Sequence, residues 1–468
     1  MPASSGPPIS LPICTRSIGI VLVGALTGIL AVGIPPAGAR PSRMRVMVYD
    51  TRFETYEPSM GVTRPGGIFF DGFAGPGSIL PAVIGSTDGG RTWKVKFDHH
   101  LNSNDPYLYV DPATSRIFSS DLTPPCEQLS FSDDNGRTWT TAPPAGCIWN
   151  EDHETIFAGP APRGGLKPAG YPNVVYLCSI GGGLSVASTM STCSKSLDGG
   201  LLFVPTGEPA FFDNPRYRGD FGLPGLCQGA TGHGFVGPDG TVYLPKGYCG
   251  QPFVAISRNE GLTWTRVQVA DNGMNCCTGL VGGQHDPTDH FFDHESGVAA
   301  DGHGNVYFDW VAADRQPYLA VSHDEGATWS RPIRIASPGI REAVLPGMAI
   351  RPDGTIAMIY LASRNSPWDG TKATGPYTQA VTWDAYIVVS SNVAASHPRF
   401  TTVRIGSDLD PLIRGSCGPV TCPGMGEFID VEFGPDGTVW ASVEDECHGH
   451  KCGFSDALIG HVTSGPLP

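Results

Sequence analysis

The sequence predicts an all-β protein. Of its 468 residues only 16% are charged, whereas 62 are glycine and 43 are proline, which is typical of a loop-rich globular protein rather than a helical bundle. Short runs such as "VVYLCSI", "NVYFDW", "TIAMIYLA" and "YIVVSS" are rich in β-branched and aromatic residues and are bounded by Gly, Pro, Asp and Asn. This pattern indicates many short strands joined by tight turns.

Two repeated signatures organise these strands. In the first, a short strand ends in a Pro/Asp/Gly-type turn that starts the next strand; its seven copies begin at Tyr56, Asn104, Asp152, Gly232, Asp293, Gly347 and Ile429. The second is S-x-D-x-G-x-T-W, with Asn replacing Asp in one copy; it begins at Ser86, Ser132, Ser257 and Ser322, with a weaker copy at Ser196. Seven units of four short strands predict a seven-bladed β-propeller, because radial repetition leaves few exposed sheet edges.

Within each blade, the first turn is expected to join strands one and two, counted from the axis, and the second signature to join strands three and four. Asp can accept backbone N–H groups there, Gly can take a positive φ, and the Trp is expected to pack between blades. The sixth unit has a degraded copy in "VVSSNVAASHPRF", and the seventh lacks one. We therefore expect residues 44–50 to supply the missing outer strand and close the ring, with residues 44–49 pairing with 458–462.

The N-terminus resembles a secretory signal. Residues 18–34 are apolar and uncharged, Arg16 precedes them, and Ala37-Gly38-Ala39 follows. This predicts a signal peptide over residues 1–39 and a single propeller domain over residues 40–468, in a secreted, extracellular protein. An uncleaved membrane anchor is the alternative, because the run is nearly long enough to span a bilayer.

Cysteine usage fits export. Loss of the signal removes Cys14 and leaves 12 of the 13 cysteines, an even number that predicts disulfides. Short separations favour Cys126–Cys147, Cys178–Cys193, Cys417–Cys422 and Cys447–Cys452, with two more bonds among Cys227, Cys249, Cys276 and Cys277. The net charge of −15 argues against nucleic acid and anionic membrane surfaces as partners, and we expect a monomer.

The S-x-D-x-G-x-T-W copies resemble the Asp-boxes of the sialidase-like (BNR-repeat) propellers, over essentially the whole mature chain. This resemblance implies a propeller whose boxes lie on the face opposite the active site, and a glycan or another extracellular polymer as partner. Sialidases bind the substrate carboxylate with three arginines, the first in a Y/F-R-I-P motif. In the matching stretch, "YEPSMGVTRPGG", Glu57 takes the place of that arginine, so the standard arginine triad is not expected. Other arginines in loops that could reach this face are Arg315, Arg341, Arg364 and Arg414.

The remaining inner-strand starts are acidic and rich in His, which leaves two readings of the site. In one, two carboxyl groups act as acid and base on a glycosidic bond; the candidates are Asp105, Glu154, Glu295 and Glu427. In the other, His153, His233, Asp293 and His294 bind Ca²⁺ or another divalent metal. Such groups can also simply bond to backbone amides and water in the channel.

Two functions therefore stay open. One is a glycoside hydrolase of extracellular glycans that works without the standard arginine triad. The other is a non-catalytic propeller that binds carbohydrate or protein, with or without a metal ion at its central channel. The sequence is compatible with an enzyme and with a binding protein, and the cofactor that it suggests is Ca²⁺ or another divalent metal.

Overall fold

Short antiparallel strands make up the regular structure of the chain. The structure is a computed structural model that describes residues 44–75, 78, 80–99, 103, 105–123, 125–147, 152–181, 190–212, 229–248, 251–271, 296–368, 378–416, 425–426, 428–447 and 455–464. These residues form strands and turns and no helix, so none of them belongs to a helix that could cross a membrane. The chain divides into two units, Met1–Arg40 and Pro41–Pro468. The first unit, with the predicted signal, lies outside the described residues.

Seven antiparallel sheets follow one another along the chain, and we number them as blades 1 to 7. Blade 1 contains β2 (Met60–Val62), β3 (Ile68–Phe73), β4 (Pro81–Ser86) and β5 (Lys94–Asp98). Blade 2 contains β6 (Pro106–Val110), β7 (Ile117–Thr123), β8 (Cys126–Ser132) and β9 (Thr140–Thr141). Blade 3 contains β10 (Asp152–Gly159), β11 (Val174–Ile180), β12 (Ser191–Ser196) and β13 (Val204–Pro205).

The later blades have the same order of strands. Blade 4 contains β14 (Phe235–Val236), β15 (Val242–Tyr248), β16 (Gln251–Ser257) and β17 (Thr265–Gln268). Blade 5 contains β18 (Gly297–Ala300), β19 (Val306–Val311), β20 (Pro317–Ser322) and β21 (Ile333–Arg334). Blade 6 contains β22 (Glu342–Ile350), β23 (Ile356–Ser363), β24 (Thr382–Ser390) and β25 (Thr401–Ile405), with β26 (Ile413–Arg414) also paired to β24.

Blade 7 joins the two ends of the described chain. It contains β27 (Asp430–Phe433), β28 (Val439–Asp445), β29 (Asp456–Ser464) and, as its outermost strand, β1 (Arg45–Glu54). The sequence predicted this position for residues 44–50, and the register places Val46 opposite Val462 and Tyr49 opposite Ile459.

Apolar packing between blades produces the ring. Seven hydrophobic clusters occur among the described residues, and each draws its members mainly from two neighbouring blades, including blades 7 and 1. The innermost strands also contact one another in sequence, from β2 through β6 to β27 and back to β2. The alternating buried faces of seven twisted sheets thus cover each other, which identifies the fold as the predicted seven-bladed β-propeller.

The repeated turn has the chemistry that the sequence predicts. In the β4–β5 hairpin, Asp88 accepts hydrogen bonds from the backbone N–H and the hydroxyl of Thr92, at 3.0 and 2.7 Å, while Ser86 Oγ accepts the N–H of Gly90 at 2.9 Å. Gly90 has a φ of 84°, which glycine adopts without strain. In the matching hairpin of blade 2, Trp139 stacks on Phe97 of blade 1 at 4.8 Å between ring centroids. The repeated turn therefore stabilises hairpins and blade contacts.

Two predicted disulfides are present. Cys126 is bonded to Cys147, and Cys178 is bonded to Cys193 across the paired strands β11 and β12. Cys447 is also disulfide-bonded. Its predicted partner, Cys452, lies outside the described residues, as do Cys417 and Cys422.

Candidate functional site

All seven inner strands begin at the same end of the propeller, which we call the upper face. Each strand of a blade reverses the direction of the one before it, so the repeated S-x-D-x-G-x-T-W hairpins lie at the other end, the lower face. The described residues at or just before the inner-strand starts on the upper face are Ser59, Asp105, Glu154, His233, Ser296, Glu342 and Asp430. The fold thus brings polar side chains from seven blades, distant in sequence, to one surface.

Two of the four predicted acids lie on neighbouring blades. Asp105 directly precedes β6 and Glu154 lies near the start of β10, and these two inner strands contact each other. The two residues are buried, with exposed fractions of 7% and 4%. Glu295 and Glu427 lie outside the described residues, so the structure does not test them.

A β-bulge positions His153 and Glu154. The register of β10 against β11 shifts between Asp152 and Thr155, so the residues between them fall out of the regular ladder. His153 has a φ of 48°, an uncommon conformation for a residue other than glycine. Bulges of this kind change the direction of a side chain and are frequent beside functional sites.

His233 packs among aromatic rings near the propeller axis. Its ring lies 5.1 Å from that of Tyr107 and 5.8 Å from that of Phe428, measured between centroids. These residues belong to blades 4, 2 and 7, and side chains from three non-neighbouring blades can meet only near the centre of the ring. Burial lowers the pKa of His233 to about 4, so its imidazole is neutral at neutral pH.

No metal site is evident in the part of the chain that the structure describes. No three His, Cys, Asp or Glu residues there are grouped closely enough to hold an ion. His153 and His233 are described, but the other two predicted ligands, Asp293 and His294, are not. The metal site therefore stays a prediction from the sequence.

Four blades have a buried acid on their second strand that the sequence did not predict. Asp71, Asp121, Asp309 and Glu444 lie on β3, β7, β19 and β28, and all are fully or almost fully buried. Burial raises the pKa of each carboxyl group, to about 7 for Asp309. For Asp71 and Asp309 the signal in the sequence was a single charged residue inside an apolar run, in "FFDGF" and "YFDWV".

A further buried acid links blades 7 and 1. Asp430 accepts the backbone N–H of Met60, at the start of β2, at 2.9 Å, and that of Val431 at 2.7 Å. Burial nevertheless raises the pKa of Asp430 to about 7. Because both of its oxygens accept bonds from the protein, Asp430 holds two inner strands together.

Two of the four predicted loop arginines, Arg315 and Arg341, are bound within the protein. Arg315 forms an ion pair with Glu342, and both side chains are 2% exposed. Arg341 donates a hydrogen bond to the backbone oxygen of Trp368 at 3.1 Å, and Arg414 lies in β26. In the described residues, Arg315 is therefore already neutralised by a carboxylate.

Comparison with known proteins adds a resemblance of fold. No protein-family model matches the chain, and no curated protein is similar to it in sequence. Among solved structures, it is similar to a protein of unknown function from Dyadobacter fermentans, with 14% identity and a TM-score of 0.41 over 91% of this chain and 99% of that one. It is similar to an α-L-arabinofuranosidase from Fusarium graminearum, with 12% identity and a TM-score of 0.41 over 74% and 98% of the two chains. It is also similar to a Hadza microbial sialidase, with 17% identity and a TM-score of 0.38 over 66% of this chain and 64% of that one. At such values the likeness says nothing about activity.

Proposed function

We propose that this protein is an exported glycoside hydrolase, a member of the sialidase-like Asp-box propellers that acts on extracellular glycans without the standard arginine triad. The observation that carries the proposal is the burial of two carboxyl groups, Asp105 and Glu154, on adjacent inner strands of the upper face. Cleavage of a glycosidic bond needs two carboxyl groups in different ionisation states, roughly 5 to 9.5 Å apart.

In this proposal Asp105 and Glu154 are the acid and base pair. Burial disfavours the charged form of a carboxyl group, so a buried pair holds one proton more readily than an exposed pair. The protonated group would donate to the leaving oxygen of the sugar, and the ionised group would activate water or attack the anomeric carbon. The remaining candidates, Glu295 and Glu427, belong to the same proposal.

The substrate that fits best is a neutral polysaccharide. A sugar carboxylate needs fixed cations, preferably arginines that bind it through two parallel bonds. Glu57 stands where sialidases have their first arginine, and Arg315 is already paired with Glu342. The acidic net charge of −15 also disfavours an anionic polymer.

Export rests on separate observations. The signal-like residues 1–39 and the disulfides Cys126–Cys147 and Cys178–Cys193 fit an oxidising compartment outside the cytosol. Determining the N-terminal residue of the exported chain tests cleavage after Ala39. A chain that retains residues 1–39 in the membrane fraction would instead establish the anchored form.

The test of the activity is a product-release assay on the exported protein, with neutral plant and bacterial polysaccharides and a sialylated glycan, each with and without a chelator. We expect release from a neutral polysaccharide, reduced at least about 100-fold in Asp105→Asn and Glu154→Gln. Glu325→Gln is the matched control, because this exposed carboxylate lies in the β20–β21 hairpin on the lower face.

Other outcomes would contradict the proposal. Binding of a polysaccharide without release would make the protein a non-catalytic binding propeller, and a melting temperature lowered by chelator would add the metal ion to that function. Release only from the sialylated glycan would mean that arginines in the loops of the upper face bind its carboxylate.

A further inference from the structure

Exposed apolar side chains gather on the lower face of blades 3 and 4. Eleven large hydrophobic side chains are exposed among the described residues, and five of them lie in the β10–β11 connection, the β12–β13 hairpin with its outer strand, and the β16–β17 hairpin. Their exposed fractions are 42% to 62%, and we call them the lower-face patch: Leu166, Leu201, Leu202, Val204 and Leu262. Exposed apolar side chains are ordinary where they are scattered, whereas a group of them marks a contact surface.

Contacts between the two blades hold these segments to one another. Glu260, in the β16–β17 hairpin, accepts the backbone N–H of Leu166 at 2.7 Å and forms an ion pair with Lys195. Lys195 lies directly opposite Val204 in the pairing of β12 with β13. Leu262 is only two residues from Glu260 in the same hairpin. The inner connection and the outer hairpins are therefore joined, and the patch is a single surface.

The patch interrupts the pattern of the repeated turn. In blades 1, 2 and 5 the threonine of S-x-D-x-G-x-T-W donates its hydroxyl to the aspartate, at 2.6 to 2.7 Å. In blade 3 Leu202 stands at this position and has no hydroxyl to donate to Asp198. Leu201 and Leu262 stand where blades 1 and 2 have arginine. Blade 3 thus exposes a leucine in place of a hydrogen bond, so the stability of the turn does not explain this residue.

Charged side chains of opposite sign border the patch on its two sides. Arg163 and Lys167 are exposed in the β10–β11 connection, which belongs to the inner half of blade 3. Asp198 and Glu208 belong to the outer half: Asp198 lies half-buried in the β12–β13 hairpin, and Glu208 follows β13. The carboxylate of Glu208 lies 3.9 Å from Arg266, and its side chain is still 45% exposed. The inner border is therefore basic and the outer border acidic.

These borders fit a second copy of the chain better than a lipid surface. A rotation by 180° places the basic border of one copy against the acidic border of the other, as a self-complementary interface requires. A membrane-binding surface surrounds its apolar side chains with Lys and Arg, and anionic headgroups would repel the acidic border. We propose that the lower-face patch is the interface of a symmetric dimer of this chain.

The dimer leaves the upper face of both copies open. The apolar side chains of the patch meet at its centre, and Arg163 and Lys167 of each copy face Asp198 and Glu208 of the other. The net charge of −15 led to the expectation of a monomer, whereas the patch supplies a local attraction that the net charge does not describe. This inference does not depend on the proposed function, because the interface lies on the face opposite the proposed catalytic acids.

Sedimentation equilibrium of the exported protein, from about 1 to about 100 μM, should show a monomer–dimer equilibrium. We expect Leu202→Thr to weaken the dimer about 100-fold, because a symmetric interface loses the leucine from both copies and each loss weakens it about 10-fold. The variant gives blade 3 the threonine that blades 1, 2 and 5 have, so its melting temperature, measured at a dilution where both proteins are monomeric, should not fall. Leu409→Thr is the matched control, because Leu409 is 82% exposed between β25 and β26 of blade 6, outside the patch. Its dimer should form as in the wild type.

A charge reversal tests how the two copies are arranged. Lys167→Glu should weaken the dimer about 10-fold at low salt, and this loss should shrink as salt is added, because the borders are exposed and their charges are screened. An unchanged dimer in Lys167→Glu would contradict the pairing of basic and acidic borders.

Three further outcomes would overturn the dimer. They are a monomer over the whole concentration range, a dimer that Leu202→Thr leaves intact, and binding of the monomer to phosphatidylcholine vesicles that is lost in Leu202→Thr. The last outcome would assign the patch to a lipid surface. Sedimentation and vesicle binding need no glycan, so a failure of the dimer is distinguished from a failure of the proposed hydrolase.

Discussion

Arg315 and Glu342 form an ion pair in which both side chains are 2% exposed. Arg315 lies in the turn between β19 and β20 of blade 5, and Glu342 begins the inner strand of blade 6, so the pair joins two blades at the upper face. Ser366 donates to the other oxygen of Glu342, and the guanidinium carbon of Arg315 lies 4.1 Å from the ring centre of Trp368. This arginine contributes to the scaffold.

We expect Glu342→Ala to destabilise the protein strongly. The substitution leaves a buried guanidinium without its counter-charge, a change that typically costs about 3–5 kcal/mol. Glu325→Gln is the control, because the Arg258–Glu325 pair is more than half exposed on both sides and contributes little. Urea unfolding monitored by fluorescence gives the free energy of unfolding of both variants and of the wild type. Equal losses for the two variants would show that the Arg315–Glu342 pair adds no more than a surface pair.

The repeated turn provides a second prediction, at Asp324 in blade 5. Its carboxylate accepts the hydroxyl and the backbone N–H of Thr328, at 2.6 and 2.7 Å, and these bonds lower its pKa to about 2. In the same turn of blade 4, Asn259 accepts the N–H of Thr263 at 3.0 Å and donates to its hydroxyl at 2.9 Å. Asparagine is therefore tolerated in this turn.

We expect Asp324→Asn to lower the melting temperature slightly at neutral pH and Asp324→Ala to lower it more. Because the pKa is depressed in the folded state, the stabilising contribution of Asp324 is present above its unfolded value of about 4 and is lost as pH falls toward 2. The difference in melting temperature between the wild type and Asp324→Asn should thus shrink between pH 5 and pH 2. A difference that stays constant over this range would contradict the role of the carboxylate charge.

The sequence predicted most of the fold because its signals are local. The turn that begins at Ser86 and the Pro/Asp/Gly-type turns are specified within about ten residues, and repetition multiplies each weak signal. The same local pattern placed Asp105 and Glu154 at inner-strand starts. Neither inference needed a contact between distant parts of the chain.

What the sequence missed depends on contacts between blades. His233 was a candidate metal ligand, but its packing against Tyr107 and Phe428 arises only when three blades meet near the axis. Asp71 appears in sequence as an isolated charge within an apolar run, and Asp121 as a charge that follows two serines. Only the packing of blade 1 on blade 2 shows that Ser119 donates a hydrogen bond to Asp71 and that His99 lies against both Ser119 and Asp121.

The last prediction concerns Asp309, the buried acid of blade 5. Its Oδ1 accepts the backbone N–H of Gly297, opposite it on β18, at 2.7 Å. This bond and one from its own backbone N–H do not offset the loss of hydration, and burial raises the pKa of Asp309 to about 7. In the unfolded chain the same group has a pKa of about 4.

The sign of the resulting pH dependence is opposite to that of Asp324. Below pH 4 Asp309 is protonated in both states, and its stabilising contribution is fully present. Between pH 4 and pH 7 the unfolded chain ionises while the folded chain does not, so the free energy of unfolding falls as pH rises. Above pH 7 the free energy of unfolding falls no further on account of Asp309, and the total decrease has an upper bound of about 4 kcal/mol.

Asp309→Asn should remove this dependence, because asparagine keeps an acceptor oxygen for Gly297 and does not titrate. We expect the melting temperature of the variant, relative to that of the wild type, to rise steadily from pH 4 to pH 7 and then to level off. Asp324→Asn, measured alongside, should show no change between pH 5 and pH 7, because its carboxylate titrates at lower pH. Parallel curves for Asp309→Asn and the wild type would mean that Asp309 is ionised throughout. The negative charge of this buried side chain would then be balanced by a cation or by hydrogen-bond donors from residues outside the described ones.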